Sequence, residues 1–410
     1  MGTLLLADGA VAVRHFHTSA SWIEGVAIDQ AAGLAALGGV TALATMPDLH
    51  PGKYGPVGTA MLADRLHPRI VGSDIGCGMA FFRLDLERRK LRLDRVAERL
   101  TRLERPLGAD EAAARREAFG LAPSAHDGAL GSIGGGNHFC ELQGVDAILD
   151  AEAAAAAGIV ADGVHLLVHS GSRGLGAEVF RQAADGGAAG LDPDGADGAV
   201  YLAGHDHALA FAALNRLIVA ERAAEALRAE MTALLDRPHN FAERTAAGIL
   251  HRKGAAPADR GLVPIPGSRA SPSYLVAPTL ADPGALASLA HGAGRRFDRS
   301  SMAGRVGRRK SDLDRLVRNP YGGHVVCTDR VLLVEEAPEA YKSAEAVVAD
   351  LVHFGLVRPV ARLVPLVTFK TARPDRERLR READRGTGRR SDRTRERPRD
   401  PWPGEREGEA

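Results

Sequence analysis

Fifteen histidines are spread over the 410 residues, and several stand in glycine-rich stretches beside another polar group. SDIGCGM places Asp74 three residues before Cys77, and GGGNHFCEL holds Asn137, His138 and Glu141. VHSGSRG carries His169, RPHNFAE carries His239 and Asn240, and AHGAGRR carries His291 and Arg295. Glycine lets backbone approach a ligand closely and adopt positive φ. Imidazole, carboxylate and thiolate together suit a borderline divalent metal such as manganese, zinc, cobalt or iron. An aspartate three residues before a cysteine, on a tight turn, can point both side chains at one centre. Two ions sharing that thiolate, with histidines completing their shells, would form the two-metal clamp suited to phosphoryl chemistry. Each residue also has a plainer reading. A lone loop histidine ordinarily hydrogen-bonds its surroundings, and Cys77 alone would be a small buried hydrophobe. No Cys-x-x-Cys pair occurs, which argues against a structural zinc site. The pairs His15/His17 and His205/His207 do not share one face of a helix and read as structural. There is no GxxxxGK[ST] phosphate loop and no GxGxxG after a strand, so a nucleotide would be held by other loops. The residues alone reach a metal-dependent phosphoryl-transfer or hydrolytic enzyme.

The elements that must position these groups are mixed in kind. A helix is expected around 22–37, ended by Gly38 and Gly39, and strands at 69–71 and 79–86 flank GSDIGCG. Charged helices follow over 88–105 and 110–118, then an alanine-rich helix over 150–157. The run VHLLV at 164–168 reads as a buried strand entering SGSRGLG. Apolar residues at 3–4 spacing predict a long helix over 205–235. A helix over 343–355 and a strand over 361–369 close the pattern. Without a clean βαβ rhythm, the expectation is α+β: one large domain over residues 1–372, with mixed sheets flanked by helices. Residues 373–410 hold 13 arginines and 10 acidic residues and are expected to be a disordered, charged tail. The rest of the chain, with 40 basic and 42 acidic residues, has no global nucleic-acid signature. At 45% hydrophobic and 26% charged, the composition is that of a globular protein. No apolar run reaches the roughly 18 residues of a membrane span. The N-terminus lacks the parts of a signal peptide, and three cysteines make no disulfide framework, so a cytoplasmic location is expected.

On these residues the sequence resembles the RtcB family of RNA ligases, from about Met46 to Lys370. The motifs run in order: MPDLHPGKYGPVGTA, VGSDIGCGM, GSIGGGNHFCEL, LLVHSGSRGLG, HNFAERT with ILHRKGA, PIPGS with SYLV, HGAGR, EEAPEAYK and RPVARLVPLVTFK. The DRSSM segment, the NPYGGHVVC run and the PLVTFK ending look most like the subgroup linked to release factor H. One departure stands out: where the family usually reads PGSMGxxSY, this chain reads PGSRASPSY.

The resemblance implies GTP- and manganese-dependent joining of an RNA 3′-phosphate, or 2′,3′-cyclic phosphate, to a 5′-hydroxyl, in RNA repair. Carried over by motif, it implies Asp74, Cys77, His138, His169 and His239 as ligands of two manganese ions, with Cys77 shared. His291 would be the nucleophile that takes GMP, and Arg295 would contact the nucleotide phosphate or its leaving group. Asn137 would hold phosphate. Glu141, Ser273, Tyr341 and Lys370 would line the guanine pocket, with Ser268 near the nucleotide. Partners would be RNA with broken ends, ribosomal or transfer RNA among them, with a functional link to release factor H. Whether an archease helper is needed stays open. Backbone contacts to RNA are expected from Arg173, Arg252, Lys253, Arg269 and the basic run Arg305, Arg308, Arg309 and Lys310. The competing readings are a hydrolase, in which the same metals open cyclic phosphates without ligation, and a non-catalytic RNA-end or GTP-binding protein.

Overall fold

A computed structural model describes residues 4–5, 11–105, 107–183, 186–307 and 309–371; the tail at 373–410 lies outside the described residues. The fold is α+β, built on two main sheets. The first has the strand order Leu4–Leu5, Val13–His15, Val40–His50, Val57–Ala63, Gly248–Lys253, Asn240–Thr245. The second runs Val263–Ile265, Ser273–Pro278, Val357–Phe369, Phe139–Ile148, Gly163–Ser170, Gly78–Glu87, Met231–Pro238, with His324–Val326 parallel beside Val357–Phe369. Every other pairing in this second sheet is antiparallel.

The strand Gly163–Ser170 is buried along its whole length, which is why its sequence, GVHLLVHS, is mainly apolar without a polar-out alternation. One face packs Val164, Leu166 and Val168 against Val219, Ala223 and Leu227 of the helix Ala196–Leu227. The other face sets Leu167 with Phe81, Val145 and Ala154. A third core joins the two sheets, with Met46 and Ala60 of the first against Val276 of the second and Leu351 of the helix Ala344–His353.

The 32-residue helix Ala196–Leu227 also carries polar groups that hold loops. Asn215 accepts from Gly131 N–H and donates to the Ser132 carbonyl. The fully buried Arg216 pairs with Asp236 and donates to the carbonyls of Gly76 (2.7 Å) and Ser170 (2.9 Å). Those carbonyls belong to the two glycine-rich loops singled out in the sequence.

Two expected elements are corrected. The segment 69–71 is not a strand: Pro68–Val71 is a helical turn, and Pro68 with its fixed φ starts it. The helix expected over 205–235 begins at Ala196 and stops at Leu227, where Arg228 takes the left-handed conformation (φ 59). Met231–Pro238 is instead the edge strand beside Gly78–Glu87. Its spacing fits a helix, but pairing with a buried strand overrides local propensity. Among the described residues, no helix is long and apolar enough to cross a membrane.

Candidate metal and nucleotide site

Strand register gathers the motif residues at one end of the second sheet. Cys77 immediately precedes Gly78–Glu87, in which Gly78 pairs with both Ser170 and Pro238 and Met79 pairs with His169. His239 therefore follows its strand directly beside Cys77, and its N–H donates to the Cys77 carbonyl at 2.8 Å. Phe139 pairs with His169, which brings His138 to the same end. Thr368 pairs with Glu141, so Lys370 arrives next to the GGGNH loop, where its Nζ donates to the His138 carbonyl at 2.9 Å. The first sheet contributes Asp48 and His50 from the end of Val40–His50, and His291 follows the short strand Ser288–Ala290.

The result is a row of donors. Cys77 Sγ lies 3.2 Å from His138 Nε2 and 3.1 Å from His169 Nε2. The three ligand atoms all fall within 4.8 Å of one another. Asp74 Oδ2 is 3.1 Å from His138 Nε2. The His239 ring centroid is 5.1 Å from that of His169 and 4.6 Å from that of His291. Gly171 makes room for the row, since a Cβ there would sit 2.3 Å from Asp74 Oδ1. A thiol packed against two imidazoles, with a carboxylate beside them, is a donor set that fits a divalent transition metal. Burial works against the Asp74 charge, but His138, Arg173 and His169 outweigh it and hold the carboxyl well below the usual range. Burial and neighbouring histidines hold His169 and His239 neutral, with pKa values well below ordinary imidazole. Neutral imidazole is the metal-binding form.

His291 ends the row and is oriented from behind. Its Nδ1 is 2.6 Å from Asp48 Oδ2, and the same oxygen accepts from its backbone N–H at 3.2 Å. Asp48 is fully buried. A carboxylate oxygen accepting from Nδ1 would place the proton there and leave the lone pair on Nε2. Gly294 permits this contact: its φ is +71°, and a Cβ there would lie 2.3 Å from the Asp48 carbonyl oxygen. Sequence reasoning missed Asp48, although it stands inside the MPDLHPG motif.

A cavity of about 440 Å³ opens on the row and is lined by Asn137, Glu141, Ser268, His291, Arg295, Tyr341 and Lys370. In its wall the buried Glu141 accepts from Gln143 Nε2 (2.8 Å) and Thr368 Oγ1 (2.5 Å). Burial pushes its carboxyl up to about 7 against the opposing pull of Thr368, Gln143 and Lys370. Burial likewise lowers Lys370 to about 8. Ser273 does not line the cavity; its Oγ accepts from Gln143 and so acts behind Glu141. Ser268 Oγ is 3.0 Å from Ser271 Oγ, within its own turn.

Arg295 lines the cavity, and each of its three nitrogens has a partner. Nε donates to the Phe297 carbonyl, Nη2 to the Glu335 carbonyl, and Nη1 pairs with Glu336 at 3.1 Å. Glu336 is a hub, holding Arg295, Arg299 (3.0 Å) and the Tyr341 hydroxyl together. Neither Glu336 nor Arg299 was singled out in the sequence, though Glu336 lies in EEAPEAYK. Arg173 is strained, with φ 59, and its Nη1 is 3.1 Å from His138 Nδ1, on the ring side away from Cys77. Of the residues expected to face RNA, Arg252 is fully buried, with its fork on Glu243, Ser288 and the Ala287 carbonyl, which removes it from that list. The His15/His17 and His205/His207 pairs stay out of the row. His15 meets Thr45, and His205 Nε2 accepts from Ala242 N–H at 3.0 Å.

A family model described as tRNA-splicing ligase RtcB matches residues 30–118 and 107–371. The chain is 46% identical over 360 residues to the RNA-splicing ligase RtcB2 of Escherichia coli, covering 86% of this chain and 93% of that protein. It is 30% identical over 434 residues to the RNA-splicing ligase RtcB of Mycobacterium bovis (83% and 100% covered). It is 31% identical over 449 residues to the tRNA-splicing ligase RtcB of Archaeoglobus fulgidus (85% and 92%). With a family model matching residues 30–118 and 107–371 and a relative 46% identical over 86% of the chain, the chain belongs to the RtcB family.

Proposed function

We propose that the protein is an RNA ligase that joins an RNA 3′-phosphate or 2′,3′-cyclic phosphate end to a 5′-hydroxyl end, using GTP and two manganese ions. The observation that carries this reading is His291. Its Nδ1 is fixed by a buried carboxylate, and the ring stands at the end of a thiol–imidazole row on the wall of a cavity. In the hydrolase reading, in which the metals alone open cyclic phosphates, this oriented imidazole is left idle.

His291 Nε2 attacks the α-phosphorus of GTP, expels pyrophosphate and forms a phosphoramidate with GMP. Asp48 stabilises the imidazolium character that develops as Nε2 gives up its pair. GMP then passes to the RNA 3′-phosphate, and the 5′-hydroxyl displaces it as the RNA is joined. Asp74, Cys77, His138, His169 and His239 would hold the ions, whose chemistry is neutralisation of phosphate charge and alignment of the reacting oxygens. Asn137 holds phosphate at the row, while Glu141, Tyr341 and Lys370 take the guanine, with Ser273 acting through Gln143. Incubation with labelled GTP and manganese tests the reading. A ligase becomes covalently labelled, whereas a cyclic-phosphate hydrolase or a binding protein does not.

Asp48→Asn should slow guanylylation on the order of 10³–10⁴-fold with metal content unchanged. The scale is that of replacing a histidine's orienting aspartate by asparagine elsewhere. The amide can donate to Nδ1 and so favour the tautomer that protonates Nε2. Single-turnover labelling reads the rate, and a rate within tenfold of the parent would remove Asp48 from the mechanism.

Glu141 sets a second expectation. Guanine offers N1–H and its exocyclic amine to a carboxylate, a pattern adenine lacks. Each unmet buried group costs about 1–3 kcal/mol, roughly tenfold to a hundredfold, so GTP should be strongly preferred over ATP. Because the carboxylate is the accepting form, GTP affinity should fall as pH drops through about 7. Glu141→Gln should narrow the GTP/ATP ratio and flatten that pH dependence while metal content holds. A variant that binds two manganese ions and still discriminates as the parent does would place guanine reading elsewhere.

A further inference from the structure

Beside the cavity stands a group of aromatic and cationic side chains that the chemistry at His291 does not use. Arg295 and Arg299 line the cavity, and Arg296 and Phe297 lie between them in the chain. The Phe297 ring centroid is 6.2 Å from that of Trp22, with the planes at 60°. The Arg305 guanidinium sits 3.6 Å from the Phe297 centroid, and that of Arg296 is 5.2 Å from Phe297 and 5.8 Å from Trp22. Trp22 leaves 40% of its surface in solvent, although an indole is one of the largest apolar bodies a fold can bury. It is nonetheless held firmly on both sides. The turn before it is tied to the buried Asp350, which accepts from the Thr18 and Ser21 hydroxyls. The helix after it, Gly25–Ala35, is tied to the cavity wall, where Gln30 exchanges two hydrogen bonds with Gly52 (2.9 and 3.1 Å).

Charge is the second observation. Arg173, Arg252, Arg295 and Arg299 all have hydrogen-bond partners. Among the described residues, no hydrogen bond or ion pair reaches the guanidinium of Arg296 or Arg305, and both residues are exposed. The acidic groups close to them in the chain are occupied: Asp298 accepts from Ser300 and Ser301, and Glu24 acts on the Lys342 ammonium. An exposed ring with free guanidinia over it is how single-stranded nucleic acid is held without base readout, the bases stacking and the cations taking phosphates. A protein partner could also cover an exposed tryptophan, but two cations without partners favour a polyanion. We propose that Trp22, Arg296, Phe297 and Arg305 form a platform for the unpaired bases next to the break in the RNA. Trp22 is the stacking surface, and the two guanidinia meet backbone phosphates. The proposal rests on the ligase reading above, which makes RNA the substrate. Trp22 precedes the residues that the family model matches, which begin at 30, so the platform depends on this chain's own N-terminal segment.

The chain has two tryptophans, Trp22 and Trp402, so Trp402→Phe leaves Trp22 as the only indole reporter. That full-length, manganese-loaded protein is titrated with a short single-stranded RNA ending in a 3′-phosphate. A second titration uses an abasic backbone of the same length and charge. The RNA should quench Trp22 and bind roughly tenfold or more tightly than the abasic backbone. Trp22→Ala should lose most of that margin and bind the two alike, whereas Trp22→Phe should keep much of it, since a ring remains. Arg305→Gln should lower the slope of log affinity against log salt by about 0.7, the release of one counterion from a single strand. Labelling by GTP uses no RNA, and the same labelling in Trp22→Ala as in the parent shows that the variant is folded. Unquenched Trp22 at saturating RNA, or equal binding of RNA and abasic backbone by the parent, overturns the proposal without reference to any variant. An RNA affinity unmoved in Trp22→Ala overturns it in favour of a protein partner. A parent that labels with GTP but fails these comparisons keeps the ligase reading while the platform falls. Base-dependent binding and quenching without labelling keep the platform and overturn the ligase reading.

Discussion

Replacing His291 with alanine is expected to abolish covalent labelling by GTP, a loss of at least about a thousandfold, while manganese content stays that of the parent. The expectation rests on the two sides of the ring having different partners. Nδ1 is committed to Asp48 at 2.6 Å, which leaves Nε2 as the reacting side of the ring. Removing the ring therefore removes the proposed nucleophile and leaves Asp74, Cys77, His138, His169 and His239 in place. His239, whose ring centroid is 4.6 Å away, is no substitute, because among the described residues no carboxylate holds its ring as Asp48 holds that of His291. GTP should still bind, since Glu141, Tyr341 and Lys370 are untouched. Mass spectrometry of the variant after incubation with GTP and manganese reads the label, and elemental analysis reads the metal. A GMP adduct in the variant would remove His291 from its role. Cyclic-phosphate opening that survives while joining is lost would locate hydrolysis in the row and transfer at His291.

Much of this site was legible because its residues sit in long motifs, whereas the connections between motifs were not. Asp74 and Cys77 share one turn, and His169 ends a mainly apolar run whose strand character follows from burial on both faces. Asp48 and His291 are 243 positions apart, and nothing in a single sequence pairs them. Glu336 is similar: its three partners become visible only when the loop after His291 folds over the helix Arg330–Glu335. The misread strand Met231–Pro238 shows the same limit in the fold. Its leucines and alanine fit a helical stripe, and only the partner strand Gly78–Glu87 decides otherwise. That decision matters for chemistry, because the register Gly78↔Pro238 is what sets His239 beside Cys77. Arg252 was misread because basic residues are ordinarily solvated. Its burial depends on Glu243, which faces it across a hairpin.

Cys77→Ala should cost at least one of the two manganese ions and all detectable ligation, a larger effect than alanine at any single ligand histidine. The reason is position. Cys77 Sγ is the atom within 3.2 Å of both the His138 and the His169 nitrogens, so an ion bound through either histidine would lie against it. A thiolate shared by two ions supplies a bond and a negative charge to each, and an alanine methyl supplies neither. A single histidine supplies one neutral nitrogen to one ion and should cost less. Without metal, burial and the Asp74 carboxylate push the Cys77 thiol well above its ordinary range. Loading must therefore release its proton, and metal affinity should weaken as pH falls. Deleting one buried sulfur costs on the order of 1 kcal/mol of packing, small against a domain's stability. The metal-free variant should thus melt within a few degrees of the metal-free parent, which separates lost binding from lost folding. Elemental analysis decides the matter: two full equivalents of manganese in Cys77→Ala would refute the shared thiolate, whatever the ligation assay shows.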